Sequence, residues 1–486
     1  MVTRFATVRW AAASLVLAGT MLAGCQTVGP NYRGPPAIAV VNDPKASGPF
    51  VSARDPAFSS DPAPGEWWRL YDDPQLNAMI RRALSANTDL RAATGNLERS
   101  QALVREVKAS LQPQVTLSID PSYQQFSPQA FLVPAPVPPY LLLNAGLSVS
   151  YQVDLFGQLH RGVQAASADD EAVRAAYDLV KISVVAETAK AYVEACGAGE
   201  ELVAARRILA LQQQNATVVA RFRALGRAGA MDVTRSQAQV SQAQVVIPAL
   251  EAEQRNALYR LATLQGQPPA EFPRELESCQ AVPLLKQPIP VGDGAALLRR
   301  RPDVRGVERE LAADTARIGV AVGDLYPHVT LGASAGTQGV LADSFTSATD
   351  RYAVGPGISW QLNHNVARAR IAAAKAQVRV DLANFDGVVL ASLRETESAL
   401  TLYARDLESD AKLRATRDQE AQAASQAERL YKGGRADFLS YLDAQRAVAA
   451  AQSAIAVSEV RLSADQIGAF LALGGGWEGD PPPHAG

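Results

Sequence analysis

Three Cys and four His are the side chains of highest latent reactivity among the 486 residues. Cys25 ends the run Leu22-Ala23-Gly24-Cys25, behind Arg4, Arg9 and the largely apolar stretch 10–24 (WAAASLVLAGTMLAG). That stretch suits a secretory signal peptide over 1–24 and is too short to cross a bilayer as a helix. Small residues before a Cys match a bacterial lipobox, whose thiol takes a diacylglyceryl group before cleavage on its N-terminal side. An ordinary signal peptide with a chance Cys is the competing reading. Acyl chains such as palmitate add about 0.8 kcal/mol per buried CH₂, so two or more make a stable anchor. Gln26, in place of Asp, implies sorting to the outer membrane. Cys196 lies on an apolar helical stripe and reads as a buried structural thiol rather than a nucleophile. Cys279 reads as a loop residue, and a Cys196–Cys279 disulfide in an oxidising compartment stays open. His160, His328, His364 and His484 are far apart and lack metal-site spacing. No G-x-S-x-G, Walker or dinucleotide motif stands in a credible context. The expectation is no enzyme, no cofactor and no metal.

The elements that must hold such residues follow from composition and period. Hydrophobic residues are 48% and charged residues 20% of the chain, and the length allows about three domains. Aromatics are only 6%, and alanine fills much of the apolar share, which favours long, closely packed helices. Lys+Arg 47 against Asp+Glu 49 leaves a net charge of −2, so no basic excess points to nucleic acid. No run of 18 apolar residues exists, which excludes a bundle of transmembrane helices and leaves a membrane β-barrel open. Residues 26–65, with GPNYRGPP, DPKASGPF and DPAPG, read as an extended tether.

The chain repeats itself. Residues 221–266 align without gaps on 429–474 at an offset of 208, and 89–117 align on 303–331 at an offset of 214. Each half opens with a predicted helix, 75–111 or 299–325, ending before Pro113 or Pro327. Two alternating segments follow. Val115, Leu117 and Ile119 alternate with Thr116, Ser118 and Asp120; Leu147, Val149, Tyr151 and Val153 alternate with Ser148, Ser150, Gln152 and Asp154. In the second half Val329, Leu331 and Ala333, then Val354, Ile358, Trp360 and Leu362, form the apolar sets. Period two is the strand signal. One apolar face and one Ser/Thr/Gly/Gln face suit lipid outside and water inside, or a soluble two-faced sheet. Very long helices are then predicted over about 158–225 and 364–432, on the order of 100 Å each at 1.5 Å per residue. Their apolar steps of three and four argue coiled-coil packing. Each turns at a Gly-containing tip (226–229; 433–435) and returns as a helix, with Pro248 expected to kink the first return.

Four strands cannot close a barrel, and open edges in lipid leave backbone groups unsatisfied. Eight strands from two copies would leave room only for side chains, whereas twelve from three copies leave an aqueous lumen. Helices longer than a bilayer must project out of it. The motifs agree with this picture. They are Cys25-x-x-Val28-Gly29-Pro30-x-Tyr32-x-x-Pro35, Trp67-Trp68 with Asp73-Pro74-x-Leu76, Tyr151-x-Val153-Asp154-Leu155-Phe156-Gly157, Arg300-Arg301-Pro302-Asp303-Val304-Arg305, Leu325-Tyr326-Pro327, Leu442-Asp443-Ala444-Gln445-Arg446 and Leu473-Gly474-Gly475-Gly476-Trp477. On these the chain resembles the outer-membrane efflux protein (TolC-like) family, and within it the OprM/NodT-type lipoproteins of resistance-nodulation-division tripartite efflux systems. Asn363-His364-Asn365 departs from the aromatic and Gly usual there.

The resemblance implies a mainly α fold with membrane β: a TolC-like homotrimer whose twelve-stranded β-barrel, four strands per chain, continues as a long periplasmic α-helical barrel. The expected parts are the signal peptide 1–24, a lipid-anchored tether 25–69, a first repeat 70–268, an equatorial segment 269–292, a second repeat 293–476 and a tail 477–486. It implies a passive outer-membrane exit duct for small molecules such as drugs, working with a periplasmic adaptor and an inner-membrane pump, anchored by lipid and extending into the periplasm. A type I protein-secretion duct and a structural coiled-coil lipoprotein are the alternatives. Phe438–Asp443 resembles the family's constriction. Leu439 and Asp443 share a helix face; three copies facing inward would make an apolar ring and a carboxylate ring. Otherwise Asp443 pairs with a neighbour such as Arg446 on a solvated face. Arg221, Gly226, Arg227, Arg429, Gly434 and Arg435 at the tips are adaptor contacts or, on the plainer reading, solvated charges.

Overall fold

The computed structural model describes residues 27–131 and 138–476. The signal peptide, the Cys25 attachment point, Gln26, Trp477, His484 and the tail lie outside them. The main helices are α1 Pro74–Ala86, α2 Thr88–Ala109, α3 Gln158–Ala224, α4 Ala230–Leu264, α5 Gly294–Arg300, α6 Pro302–Gly323, α7 Asn365–Lys432 and α8 Phe438–Ala472. The long strands are β1 Gln114–Gln124, β2 Tyr140–Val153, β3 His328–Val340 and β4 Asp350–Ser359. Two helix pairs keep the repeat in length and in offset. α4 and α8 have 35 residues each and begin 208 positions apart; α2 and α6 have 22 each and begin 214 apart. Those are the two offsets of the sequence alignments.

The single opening helix expected in each half is two. In the first half Asp73 caps α1 by accepting from the Gln75 and Leu76 amides, with Pro74 preset for the first turn. Asn87 then breaks the run, because its extended backbone and side-chain oxygen cap α2 through the amides of Asp89 and Leu90. In the second half the break is Arg301, whose extended backbone follows from Pro302 behind it. The strands run longer than the alternation alone marks, except that β4 stops at Ser359, leaving Trp360 and Leu362 outside it. α4 runs on through Pro248 without ending.

The described chain forms two compact units. The first comprises Glu98–Val173 and Val307–Phe385 with the described residues up to Pro35, and holds the sheet. The strand order is β1-β2-β3-β4, antiparallel throughout, so a hairpin from each half meets at β2–β3. The second unit comprises Pro36–Leu97, Arg174–Gly306 and the chain from Asp386. Its core stacks Trp67 on Phe470 at 5.0 Å and buries Leu76, Ile80, Tyr192, Leu261 and Leu400 around them. The predicted helical stripes end up here, with Ile182, Ala186, Ala189, Val193 and Cys196 all buried and Leu179 exposed.

The stretch read as an extended tether is packed instead. In the first unit the Val28 amide donates to Phe156, while Arg161 donates to the Val28 carbonyl and to Asn31 Oδ1 at 2.8 and 2.7 Å. Tyr32 donates to Glu308 at 2.9 Å. In the second unit Ala39, Phe50 and Phe58 are buried, and Phe58–Ser59 pairs in parallel with Ile289–Pro290. Proline removes the amides that would demand a regular ladder, and the scattered apolar residues find a body to lie on.

Candidate functional site

The register turns the alternating strands into two coherent faces. Val115, Val149, Ala333 and Val354 form one cross-strand row, and Leu117, Leu147, Ala335 and Tyr352 the next. Tyr151, Leu331 and Pro356 continue the apolar face. Between them lie Thr116, Ser148, Ser334 and Ala353, then Ser118, Gly146, Gly336 and Arg351. Most of the apolar face is uncovered among the described residues: Leu117 is 68% exposed, Val354 82% and Ile358 72%, whereas Leu143, Ala145 and Thr337 towards one end are buried. Chain segments that leave so much contiguous apolar surface in water are costly at about 25 cal/mol per Å². Among the described residues β1 and β4 each have one edge without a partner strand.

The tips are built alike. At the first, the Arg227 amide reaches back to the Phe222 carbonyl and the Gly226 amide to Arg223; at the second, Arg435 reaches Leu430 and Gly434 reaches Tyr431. This is the Schellman closure, which requires a left-handed residue, and Gly226 and Gly434 supply it at φ +72° and +68°. Arg221, Arg227, Arg429 and Arg435 are all exposed. Arg429 donates to Ser425 at 3.0 Å. Asp437 caps α8 through the Ser440 amide, which holds its carboxyl below the ordinary range. Tyr431, Phe438 and Tyr441 brace this tip, with ring centroids 5.2 to 6.0 Å apart.

Leu439 and Asp443 follow within the first two turns of α8. Leu439 is 46% exposed, and Asp443 accepts from Arg446 at 3.0 Å with its side chain largely in solvent. Within one chain, then, Asp443 has the partner that the plainer reading assigned to it.

Sequence reasoning missed how α8 is held. Cys196 on α3 and Cys279 form a disulfide, which had been left open beside a free buried thiol. From Cys279 the irregular chain laces between helices. The Val282 amide donates to the Glu200 carboxyl on α3, the Pro283 carbonyl accepts from Ser463 on α8 at 2.8 Å, and the Leu285 amide donates to Gln466. Gln466 in turn donates to Tyr403 on α7 at 3.1 Å. A Cβ on Gly199 would strike the Cys279 carbonyl, so this path needs glycine there. Two carboxyl pairs flank it. Burial, then a hydrogen bond and charge from Glu459, push Glu200 up to about 7; burial and Asp406 do the same to Asp465. Arg414 clasps Glu459 and Asp410 at 2.5 and 2.6 Å. Carboxyls spread over three helices give no local motif; only the low charge fraction of α8 among these helices hinted that its few acids are placed.

Among the described residues no group of three or more His, Cys, Asp or Glu is arranged to hold a metal ion, and no helix is long and apolar enough to cross a membrane. The three described histidines stay apart, with His160 bonded to Asp154 at 2.6 Å.

Comparison with known proteins bears on this arrangement. The family described as Outer membrane efflux protein matches residues 79–267 and 295–475. Nodulation protein T of Rhizobium leguminosarum bv. trifolii is 28% identical over 445 residues, 90% of this chain and 91% of that protein. The pyoverdine export outer membrane protein OpmQ of Pseudomonas aeruginosa is 29% identical over 441 residues, 85% of this chain and 88% of its own. The solved structure of the outer-membrane channel OprN is similar at a TM-score of 0.84 and 33% identity, covering 93% of this chain and all of that one.

Proposed function

The chain belongs to the outer membrane efflux protein family and is an outer-membrane efflux channel, and from that premise we propose that it works as a homotrimer. Three four-stranded sheets close into a twelve-stranded barrel by joining β4 of one copy to β1 of the next. The helices continue as a periplasmic tube, and 70–268 and 293–476 are the two repeats that each copy contributes around the segment 269–292. The observation that carries this reading is the sheet itself, with a coherent, largely uncovered apolar face, a mostly polar face behind it and two edges unpaired among the described residues. Lipid covers the first, water fills the space inside the second, and ring closure satisfies the edges.

Cys25, three positions before Val28 in the sequence, carries the lipid anchor. A periplasmic adaptor and an inner-membrane pump supply the energy, with the adaptor seated on the tips around Arg221, Gly226, Arg227, Arg429, Gly434 and Arg435. The cargo is small molecules, in keeping with the pyoverdine export named for OpmQ. Leu439 and Asp443 form the resting gate, with Arg446 screening the carboxylate until assembly opens it. The test is single-channel conductance in planar bilayers. Leu439→Ala with Asp443→Ala should raise the resting conductance severalfold; a double mutant indistinguishable from the parent would remove these residues from the gate.

A further inference from the structure

We propose that Arg351 is a specificity-determining residue of the barrel wall: its guanidinium offsets the Asp120 carboxylate on the polar face of the sheet and so lets small anionic solutes pass. The inference rests on the channel reading above, in which that polar face lines the lumen.

Arg351 stands on β4 in the row Gly146–Gly336–Arg351. Its side chain crosses the neighbouring strand β3, and Nη2 donates to Asn144 Oδ1 on β2 at 2.6 Å. The crossing passes over two glycines, and a Cβ on Gly146 would already stand 3.6 Å from Nη2. The guanidinium is therefore laid along the wall and fixed at one level. Asn144 is also the cross-strand partner of Asp120 on β1, so the amide stands between a cation and an anion. Elsewhere on this face the described strand residues are Ser, Thr, Gly, Gln and Ala353, with Tyr140, Leu142 and Val340 at one end and His328 at the other, so no further Asp, Glu, Lys or Arg stands on it. Asp350, the remaining charged strand residue, pairs with Thr337 in a row of the opposite face. Without Arg351 the described strands of each copy would present only the Asp120 charge to the barrel part of the lumen, and three copies would make a ring of carboxylates there. Such rings favour cations, whereas rings of Arg favour anions.

The experiment is the chloride-to-potassium permeability ratio of the purified full-length protein in planar bilayers under a KCl gradient. Arg351→Gln should lower the ratio at least about twofold, and Asp120→Asn should raise it by a similar factor. Arg351→Lys keeps the charge and should keep the parental ratio. The effect should shrink in molar salt, because the screening length falls from about 10 Å at 0.1 M to about 3 Å at 1 M. A purely structural Arg351 would show neither the opposite shifts nor the salt dependence. Parental ratios in both Arg351→Gln and Asp120→Asn, with conductance intact, would overturn this inference alone. No conductance from the parent protein would overturn the channel reading and this inference with it.

Discussion

Gly226 and Gly434 hold left-handed backbone at the turn of each long hairpin, with open space around the position of a missing Cβ. Alanine there meets no neighbour, so its cost is the backbone alone. Gly434→Ala should destabilise by about 1 kcal/mol, the usual penalty for a left-handed L-residue. A thermal midpoint lower by about 1 °C follows for a chain of 486 residues, at about 2 cal/mol/K of unfolding entropy per residue; an unchanged midpoint would mean the tip relaxes to another turn. These glycines were legible because the reversal of a helix needs such a residue and the sequence offers one at the right place. The Asp443–Arg446 pair was legible as an option, since residues three apart face each other on a helix. Arg351 was not. Its partner lies 207 positions away and depends on register, which alternation alone does not fix.

At the scale of elements, α8 depends on what is laced against it. The Cys196–Cys279 bond closes a separation of 83 residues and holds the segment that binds Ser463 and Gln466. Cys279→Ser should cost about 2–4 kcal/mol, read as a lower thermal midpoint that dithiothreitol reproduces in the parent and leaves unchanged in the variant. Parent and variant melting together would show that the bond does not form. The carboxyl pairs set a pH dependence whose sign is fixed. Glu200 and Asp465 bind protons more tightly in the folded chain than the ordinary carboxylate does. The stability they lend is full below the ordinary carboxylate range and drains away as pH rises through about 7. Protection of the α8 amides, taken relative to the intrinsic exchange rate at each pH, should therefore be greater at pH 5 than at pH 8. Glu200→Gln with Asp465→Asn should flatten that difference, whereas the full parental difference in the double variant would place its origin elsewhere. None of this was readable from the sequence, because the four acids lie on α3, α7 and α8 and meet only after the helices pack. The offsets between α2 and α6 and between α4 and α8 were readable, because an internal repeat conserves register within each copy. The breaks at Asn87 and Arg301 were signalled by a cap residue and by a following proline, against a helical period that runs on past both.

At the scale of the molecule, one chain carries a sheet that neither closes nor covers itself. Period-two alternation was enough to foresee two faces, and four strands too few to close a barrel are the argument for partner copies. The join of two hairpins through β2 and β3 came only with the structure, since antiparallel pairing between distant halves leaves no local mark. The packed course of residues 27–65 was hidden for a similar reason: Pro and Gly describe what the backbone avoids, and what it lies on is set by the rest of the fold. All of these features serve the claim that three copies enclose a lumen. Electron microscopy of the detergent-purified protein tests that most directly. Threefold particles with a continuous central hole are the predicted result, and monodisperse single chains without one would contradict it.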